Sequence, residues 1–494
     1  MVTTGFNNDK YIKLQSQKIT ERISSFGGKL YLEFGGKLFD DYHASRVLPG
    51  FCPDSKIKML LQINDQAETI VVVSAASIEQ NKIRGDLGIT YDMDALRLID
   101  AFNEVGIQVA GVVITHYTQQ PAADAFIKRL NNLGVPSYKH YPIAGYPSNV
   151  KMIVSDDGYG RNEYVETHKP LVIVTAPGPG SGKMATCLSQ LYHDHKRNIK
   201  AGYAKFETFP IWNLPLKHPV NMAYEAATLD LNDVNMIDPF HLEATGQTAV
   251  NYNRDIEVFP VLKAIFENIY GECPYKSPTD MGVNMAGYCI EDNEAVCNAS
   301  KMEIVRRYYD VLCSRRNGLA DSGQIYKAEL LMNQVGIDTG YRKVVKPAID
   351  KANETGGPCA AIELPDGRIV TGKTSSLLGA SAAALLNALK CLGNIDDSYL
   401  LLPVEVISPI QKLKIENLGN HNPRLHADET LIALAISANT DPMAKLAMEQ
   451  LPKLKGCEAH ISVIVSSVDK NVYRKLGMNL TCEPVYATKK LYHK

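Results

Sequence analysis

The stretch from His168 to His195 limits the possible folds of this chain more than any other, because it joins a buried strand to a helix through a glycine-rich loop. Leu171 to Thr175 is a run of apolar and β-branched residues, which predicts a strand. The loop that follows has the sequence PGPGSGK and ends at Lys183, after which apolar residues recur at helical spacing. Glycines let backbone N–H groups approach an anion, and a helix start and a lysine supply positive charge. This order of elements predicts a phosphate-binding loop.

Six positions of this stretch are predicted to contact a phosphorylated ligand, for which a nucleotide such as ATP is the leading cofactor. They are Gly178, Gly180, Ser181, Gly182, Lys183 and Thr186. The loop departs from the usual pattern, Gly-x-x-x-x-Gly-Lys-Ser/Thr, because Pro177 occupies the first glycine position and Met184 the final hydroxyl position. That hydroxyl normally binds Mg²⁺, so the use of Mg²⁺ stays open, with Ser181 and Thr186 as alternative hydroxyl ligands. The alternative to phosphate binding is a tight turn with a surface lysine.

The length and composition exclude several classes of protein. At 494 residues the chain is too long for one core, and two to four domains are expected. A net charge of −2 gives no electrostatic basis for binding nucleic acid or an acidic membrane. No stretch has the roughly 18 apolar residues of a membrane span, and the first residues form no apolar signal segment. The ten cysteines are dispersed without a Cys-x-x-Cys pair, which indicates reduced thiols and a cytoplasmic protein.

Short apolar strands alternate with amphipathic helices in the first third of the chain. The strands are predicted at 68–74, 108–115 and 137–143, and the helices at 92–105 and 122–133. Such alternation is typical of a parallel sheet with helices on both faces. We therefore predict a multi-domain α/β protein with mainly parallel sheets. Its predicted parts are an N-terminal open α/β domain at 1–160, a P-loop-like α/β domain with a helical part at 161–325, and a mixed α/β C-terminal domain at 326–494.

The C-terminal part carries a hairpin signal and a helix rich in small residues. Cys359 to Gly372 is predicted to be a hairpin that turns at Pro365-Asp366-Gly367. Small residues from Gly379 to Ala383 would let another backbone pack very close to the helix that they begin. A further strand is predicted at Tyr399 to Val406.

A second group of candidate ligand contacts is Ser277, Thr279 and Asp280, which supply two hydroxyls and a carboxylate beside Gly282. The same residues also suit a capped helix start, because Ser277 is a good N-cap and Pro278 would take the first helical position. Both interpretations remain open from the sequence.

The densest set of ionisable groups lies between Asn420 and Glu429, in the sequence NHNPRLHADE. Arg424, His426 and Asp428 are predicted to be catalytic residues, together with Lys183, because histidine, arginine and carboxylate can exchange protons or bind an anionic substrate. The competing interpretation is that Asp428 and Glu429 only cap the following helix. No metal site is predicted, since the histidine spacings here and near His193 are not diagnostic of one.

Five segments together resemble a family of uncharacterised bacterial cytosolic proteins that is grouped only as a domain of unknown function. They are APGPGSGKMATC, KFETFPIWNLPLKHPVN, KSPTDMGVNMAG, ELPDGRIVTGKTSSLLGASAAALLNALK and NPRLHADE. The resemblance covers nearly the whole chain and implies a multi-domain α/β protein that forms homo-oligomers, but it implies no reaction. A fainter similarity links the hairpin and its helix to cytidine-deaminase-like domains, yet the zinc motifs Cys-Ala-Glu, His-x-Glu and Pro-Cys-x-x-Cys are missing.

The leading functional hypothesis is an enzyme that binds a nucleotide or another phosphorylated small molecule, as a phosphotransferase, ligase or hydrolase. Its partners would be that small ligand and further copies of the chain, with no nucleic acid and no membrane. The alternative hypothesis is a non-catalytic sensor of a phosphorylated ligand or an oligomeric scaffold.

Overall fold

The computed structural model describes residues 4–39, 41–85 and 87–488 and divides the chain into two compact units. The first unit comprises the chain up to Glu225 together with Asn232–Ser300, and the second comprises Ala226–Leu231 and the chain from Lys301 onward. Each unit contains a sheet of its own with helices packed against it.

The strands of the described residues are numbered in chain order. They are β1 Leu30–Phe34, β2 Ala67–Ser74, β3 Ile83–Arg84, β4 Ile89–Thr90, β5 Gln108–Thr115, β6 Ser137–Lys139, β7 Leu171–Thr175, β8 Gly202–Phe206, β9 Asn235–Ile237, β10 Val250–Tyr252, β11 Gly282–Val283, β12 Cys359–Glu363, β13 Ile369–Lys373, β14 Glu458–Ile461 and β15 Asn479–Cys482.

The α-helices of the same residues are numbered in the same way. They are α1 Asn8–Ser25, α2 Tyr42–Val47, α3 Ser55–Leu61, α4 Ala75–Glu79, α5 Tyr91–Glu104, α6 Pro121–Asn132, α7 Val150–Ile153, α8 Lys183–Lys196, α9 Pro219–Ala227, α10 Pro239–Thr245, α11 Asn253–Tyr270, α12 Pro278–Met281, α13 Asn293–Arg316, α14 Ser322–Gln334, α15 Val345–Thr355, α16 Ala380–Leu392, α17 Val404–Lys412, α18 Ala427–Ser437, α19 Pro442–Met448 and α20 Ser467–Lys475. None of these helices combines the length and the apolar character needed to cross a membrane.

The main sheet of the first unit has seven parallel strands in the order β11-β8-β1-β7-β2-β5-β6. The predicted α/β class with parallel strands is therefore confirmed. Strand β7, which precedes the glycine loop, lies between β1 and β2. Strands β1, β2, β5 and β6 of the predicted 1–160 domain thus share one sheet with β7, β8 and β11 of the predicted 161–325 domain.

The two faces of this sheet are both buried, because alternate residues of each strand point to opposite sides. On β2, Ile70 and Val72 pack with apolar residues of α8 and α11, whereas Val71 and Val73 pack with α5 and α6. A strand that is buried on both faces needs apolar residues at nearly every position, and the run from Ile70 to Val73 in β2 shows this pattern.

The sheet of the second unit is mixed, in the order β13-β12-β14-β15, with β14 and β15 parallel and the other pairs antiparallel. The predicted hairpin is confirmed as β12 and β13. The predicted strand at 399–406 is wrong, because α17 begins at Val404 with Pro403 as its N-cap. Leu401 and Leu402 are buried just before it. A short apolar run does not by itself distinguish a strand from the entry to a helix.

The backbone of β13 passes very close to the backbone of α16, at the small residues of that helix. A Cβ atom added to Gly372 would lie 2.2 Å from the Ala384 nitrogen and 2.6 Å from the Ala383 carbonyl carbon. Both neighbours are backbone atoms of a helix, so neither can move aside without shifting that helix. The close approach expected from the small residues is found here.

We expect Gly372→Ala to lower the free energy of unfolding of the second unit by about 1–3 kcal/mol, because the added methyl overpacks a backbone contact. Urea unfolding followed by circular dichroism measures the change. Gly357→Ala is the matched control, since no atom lies within 4 Å of its added Cβ. The control should stay within about 0.5 kcal/mol of the wild type. Equal stability of the two variants would contradict the close contact.

Candidate functional site

The glycine loop joins the carboxyl end of β7 to the first turn of α8, and each of its glycines meets a separate constraint. Gly178 lies against Tyr91, because a Cβ atom there would be 2.2 Å from the tyrosine hydroxyl oxygen. Gly180 and Gly182 have left-handed φ angles of 74° and 89°, a conformation that favours glycine. Gly182 is the N-cap of α8, and no side chain in the described part of the chain accepts a hydrogen bond from the first-turn N–H groups.

The hydroxyl groups around the loop donate to backbone carbonyls. Ser181 Oγ donates to the Gly178 carbonyl at 2.8 Å, and Thr186 Oγ1 donates to the Gly182 carbonyl at 3.0 Å. Thr115 Oγ1, at the end of β5, donates to the Ser181 carbonyl at 2.7 Å. These bonds hold the shape of the loop and place the hydroxyl protons on protein acceptors.

Lys183 is half-buried at the start of α8. Its side-chain amine makes no hydrogen bond or ion pair with another residue in the described part of the chain. Burial lowers the pKa of its amine, the carboxylate of Glu33 opposes that shift, and the positive charge of Lys205 adds to it. The amine therefore lies within electrostatic reach of the carboxyl ends of β1 and β8, which carry these two residues.

A buried ion network occupies the carboxyl end of β8, beside the start of α11. Lys205 forms ion pairs with Asp255 and with Glu207, the latter at 2.9 Å, and hydrogen bonds to the Tyr252 hydroxyl. Burial alone would lower the pKa of Lys205, but Asp255 and Glu207 outweigh it and hold that pKa well above its usual value. Burial raises the pKa of Glu207 to about 7, although Lys205 lowers it. Glu207 can therefore accept or release a proton near neutral pH.

Glu33 belongs to the same cluster through the register of the sheet. It pairs with Lys205 on β8 and with Val174 on β7, so its side chain lies on the face covered by α8 and α11. The Tyr203 hydroxyl donates to Glu33 Oε2 at 2.7 Å. Glu33 is 7% exposed, so this carboxylate is held among protein groups and not by solvent.

Five site residues were not predicted from the sequence: Glu33, Lys205, Glu207, Asp255 and His116. His116 follows β5 with a left-handed φ of 52°, and its Nδ1 is 3.4 Å from Ser74 Oγ and Thr115 Oγ1. For Glu33, Lys205 and Glu207, the available signal was a charged residue in or beside an apolar strand, as in the segments LYLEF and AGYAKFETF. That signal marks a buried charge but does not say which other charges meet it.

Ser277, Thr279 and Asp280 lie on α12 in the first unit, where protein groups engage their side chains. Ser277 is the N-cap of α12 and accepts the Asp280 N–H at 3.0 Å, with Pro278 in the first turn. Thr279 Oγ1 donates to Asp238 at 2.7 Å. Asp280 pairs with Arg22 of α1 at 3.4 Å. The capped helix start is therefore present, and a ligand role for these residues stays a prediction.

Arg424, His426 and Asp428 lie in the second unit, at the start of α18. His426 is the N-cap residue, and its Nδ1 is 3.1 Å from Asp469 Oδ2. This hydrogen bond raises the pKa of His426, and burial opposes the rise. Arg424 is exposed and donates through Nε to the Ser375 carbonyl at 2.7 Å. Asp428 accepts the N–H of Glu429 at 2.8 Å.

A buried lysine holds this segment in place. Lys414 Nζ donates to Glu429 Oε2 and to the Arg424 carbonyl, both at 2.7 Å, and Glu429 accepts the His426 N–H at 2.8 Å. Glu429 thus has the capping role that was one interpretation of the sequence. His426 is a histidine oriented by a carboxylate, which is the arrangement of a proton-exchanging group. Catalytic roles for Arg424, His426 and Asp428 stay predictions.

In the described segments, no three His, Cys, Asp or Glu side chains are grouped closely enough to hold a metal ion. The ten cysteines all lie in these segments, and none of them forms a disulfide.

The chain matches protein-family descriptions over nearly all of its length. Residues 4–336 match "Domain of unknown function DUF1846, N-terminal", and residues 340–492 match "Domain of unknown function DUF1846, C-terminal". A UPF0371 protein of Streptococcus pyogenes serotype M5 is 57% identical over 494 residues, which cover 100% of both chains. A UPF0371 protein of Streptococcus thermophilus is 58% identical over 494 residues, again covering 100% of both. The predicted resemblance to a bacterial family of unknown function is confirmed.

The raised pKa of Glu207 predicts a pH-dependent stability. Between the ordinary pKa of a glutamate and about pH 7, the folded chain keeps a proton on Glu207 that the unfolded chain has lost, so stability falls as the pH rises through this window. Glu207→Gln cannot lose a proton. The free energy of unfolding of the variant minus that of the wild type should therefore increase from pH 5 to pH 8. Urea unfolding followed by the fluorescence of Trp212, the single tryptophan, measures this in the first unit. An equal difference in stability between variant and wild type at pH 5 and pH 8 would contradict a raised pKa for Glu207.

Proposed function

The chain belongs to the DUF1846 family of unknown function, and we propose that it is an enzyme that binds a phosphorylated small molecule at the glycine loop of its first unit. A nucleotide such as ATP is the leading ligand. The reaction would be of the phosphotransferase, ligase or hydrolase type.

The observation that carries this proposal is that, among the described residues, the Lys183 amine has no partner and no side chain caps the helix start beside it. A half-buried ammonium group without a protein partner is costly, and so is a set of N–H groups without acceptors. An anion beside the loop would pair with both at once. A phosphate group suits this position because its several oxygens accept from the loop amides, while its charge pairs with the lysine and the positive end of α8.

The topology of the sheet supports a ligand site at the same glycine loop. Strand β1 is followed by β2 on one side of the β1–β7 pair, and β7 is followed by β8 on the other side. The two connections therefore diverge at the carboxyl ends of neighbouring parallel strands. Ligands of open α/β sheets bind at such a switch point. The glycine loop and Glu33 both stand at this point.

The surrounding charges suit chemistry on a phosphate. Phosphoryl transfer depends mainly on positioning and on neutralising charge that develops on oxygen. Lys183 and the loop amides would supply that neutralisation. Glu207, whose pKa is about 7, would accept or release the proton that such a transfer moves. Free cysteines and a near-neutral net charge are consistent with a cytoplasmic enzyme that acts on a small molecule and not on nucleic acid.

We predict that Lys183→Ala weakens binding of a phosphorylated ligand and leaves the fold intact. Loss of a charge-assisted phosphate contact costs about 1.5–3 kcal/mol, which is ~10–150-fold in affinity. Calorimetric titration with pyrophosphate and with ATP measures the change.

Lys196→Ala is the matched control, because Lys196 lies at the other end of α8, where it pairs with Asp156 at the surface at 3.4 Å. The control should bind like wild type. Equal affinities of Lys183→Ala and wild type would refute phosphate binding at the loop. If the ligand binds but is not consumed during incubation, the chain is a sensor and not an enzyme.

We also predict that affinity for ATP changes by less than about tenfold when Mg²⁺ is added, because Met184 has no oxygen at the position that usually binds this ion. Ser181 and Thr186 already donate to backbone carbonyls of the loop. A Met184→Thr variant should acquire Mg²⁺-dependent binding, and Met184→Leu should not. A strong Mg²⁺ effect in the wild type would mean that another residue supplies the oxygen.

A further inference from the structure

The backbone N–H groups of the glycine loop and of the first turn of α8 lack acceptors along most of their length. Within the described residues, no protein group accepts the N–H of Gly178 or of any residue from Gly180 to Ala185. The next N–H, that of Thr186, donates to the Gly182 carbonyl at 2.9 Å. Left-handed φ angles at Gly180 and Gly182 direct successive N–H groups toward one concave side, where an anion can bind.

The Tyr91 hydroxyl stands beside the first residue of this series. A Cβ atom added to Gly178 would lie 2.2 Å from the hydroxyl oxygen, which therefore occupies the space where a side chain of residue 178 would begin. Tyr91 is only 5% exposed, yet its hydroxyl makes no hydrogen bond within the described residues. A buried tyrosine normally finds a partner for its O–H group. The Tyr91 hydroxyl is thus a free donor that is directed at the loop.

The free donors form two groups, one at each end of the loop. The Lys183 amine and the first-turn N–H groups of α8 lie at the helix end, whereas the Tyr91 hydroxyl and the Gly178 N–H lie at the strand end. Positive charge is present at both ends, since the exposed ammonium group of Lys82 lies 5.1 Å from the centre of the Tyr91 ring. A single phosphate group gathers its oxygens around one phosphorus atom, but these donors are spread from Gly178 to Ala185.

We propose that the ligand of the glycine loop carries two linked phosphate groups, one at the start of α8 and one beside Gly178, where the Tyr91 hydroxyl donates to it. The inference rests on the proposed function and narrows its ligand to the diphosphate class, as the inorganic anion or as an ester such as a nucleotide. A hydroxyl group that donates to a charged oxygen forms a stronger bond than one that donates to a neutral oxygen. Tyr91 is therefore the residue that distinguishes a diphosphate from a single phosphate.

Calorimetric titration of the full chain with orthophosphate and with pyrophosphate tests this inference. Tyr91→Phe removes only the hydroxyl oxygen and leaves the packed ring in place. The affinity of this variant for pyrophosphate should fall by about tenfold or more, the loss expected for one hydrogen bond to a charged oxygen, while its affinity for orthophosphate stays within about twofold. Lys183→Ala should weaken the binding of both anions, because its amine serves the phosphate at the helix start.

Tyr192→Phe is the matched control. Tyr192 is also 5% exposed and belongs to the first unit, but its hydroxyl already donates to Asp156 at 2.6 Å. This control should bind both anions like the wild type. Urea unfolding without any anion separates binding from folding. Tyr91→Phe should unfold at the wild-type urea concentration, because no described protein group depends on the hydroxyl that it removes.

A comparison of nucleotides identifies the source of the diphosphate. ADP should lose affinity in Tyr91→Phe as pyrophosphate does, whereas AMP, which has a single phosphate, should not. The tighter ligand of the pair ADP and pyrophosphate shows whether the carrier is a nucleotide or the inorganic anion.

Three results would overturn the inference. If Tyr91→Phe binds pyrophosphate and ADP like the wild type while Lys183→Ala binds them more weakly, the second phosphate position is wrong and phosphate binding at the loop stands. Equal losses for orthophosphate and pyrophosphate in Tyr91→Phe would exclude a ligand with two phosphate positions. A wild type that binds none of these anions would refute the proposed function together with this inference.

Discussion

The parallel pairing of β7 between β1 and β2 is the constraint on which the rest of the first unit depends. Parallel strands end at the same edge of a sheet, so the glycine loop after β7 shares that edge with the polar residues of β1 and β8. The same pairing buries both faces and so requires the uninterrupted apolar strands of the sequence. The position of β7 beside β1 brings Lys183, which follows β7, to the edge of the sheet where Glu33 and Lys205 lie.

Two lysines at this edge of the sheet differ in how neighbouring groups compensate their charge. Lys205 is buried, and two carboxylates and a phenol compensate its charge. Lys183 is only half-buried, lacks such partners in the described residues, and has a lowered pKa because of burial. Paired buried charges are structural elements as often as functional ones. The phosphorylated ligand that we propose for the glycine loop would pair with the charge of Lys183 at the helix start.

The second unit shows a similar contrast between a satisfied interior and an unsatisfied surface. Lys414, Glu429, His426 and Asp469 form a closed set of hydrogen bonds that fixes the start of α18. Further along the same helix, Ile432 and Ile436 have apolar side chains directed outward. The helix is therefore fixed by hydrogen bonds at its polar end and carries exposed apolar side chains further along.

The sequence alone determined the α/β class, the strand–loop–helix at Leu171 to Lys196, the hairpin at 359–373 and membership in a family of unknown function, because these depend on local periodicity, turn residues and motif identity. Only the tertiary structure decided that Glu33, 150 residues before Lys183, lies at the same edge, and that the apolar run before Val404 enters a helix. Strand order and charge pairing depend on contacts between residues far apart in the chain, and no local pattern encodes them. For the same reason the sequence could not distinguish the buried Leu434 of α18 from the exposed Ile432 and Ile436.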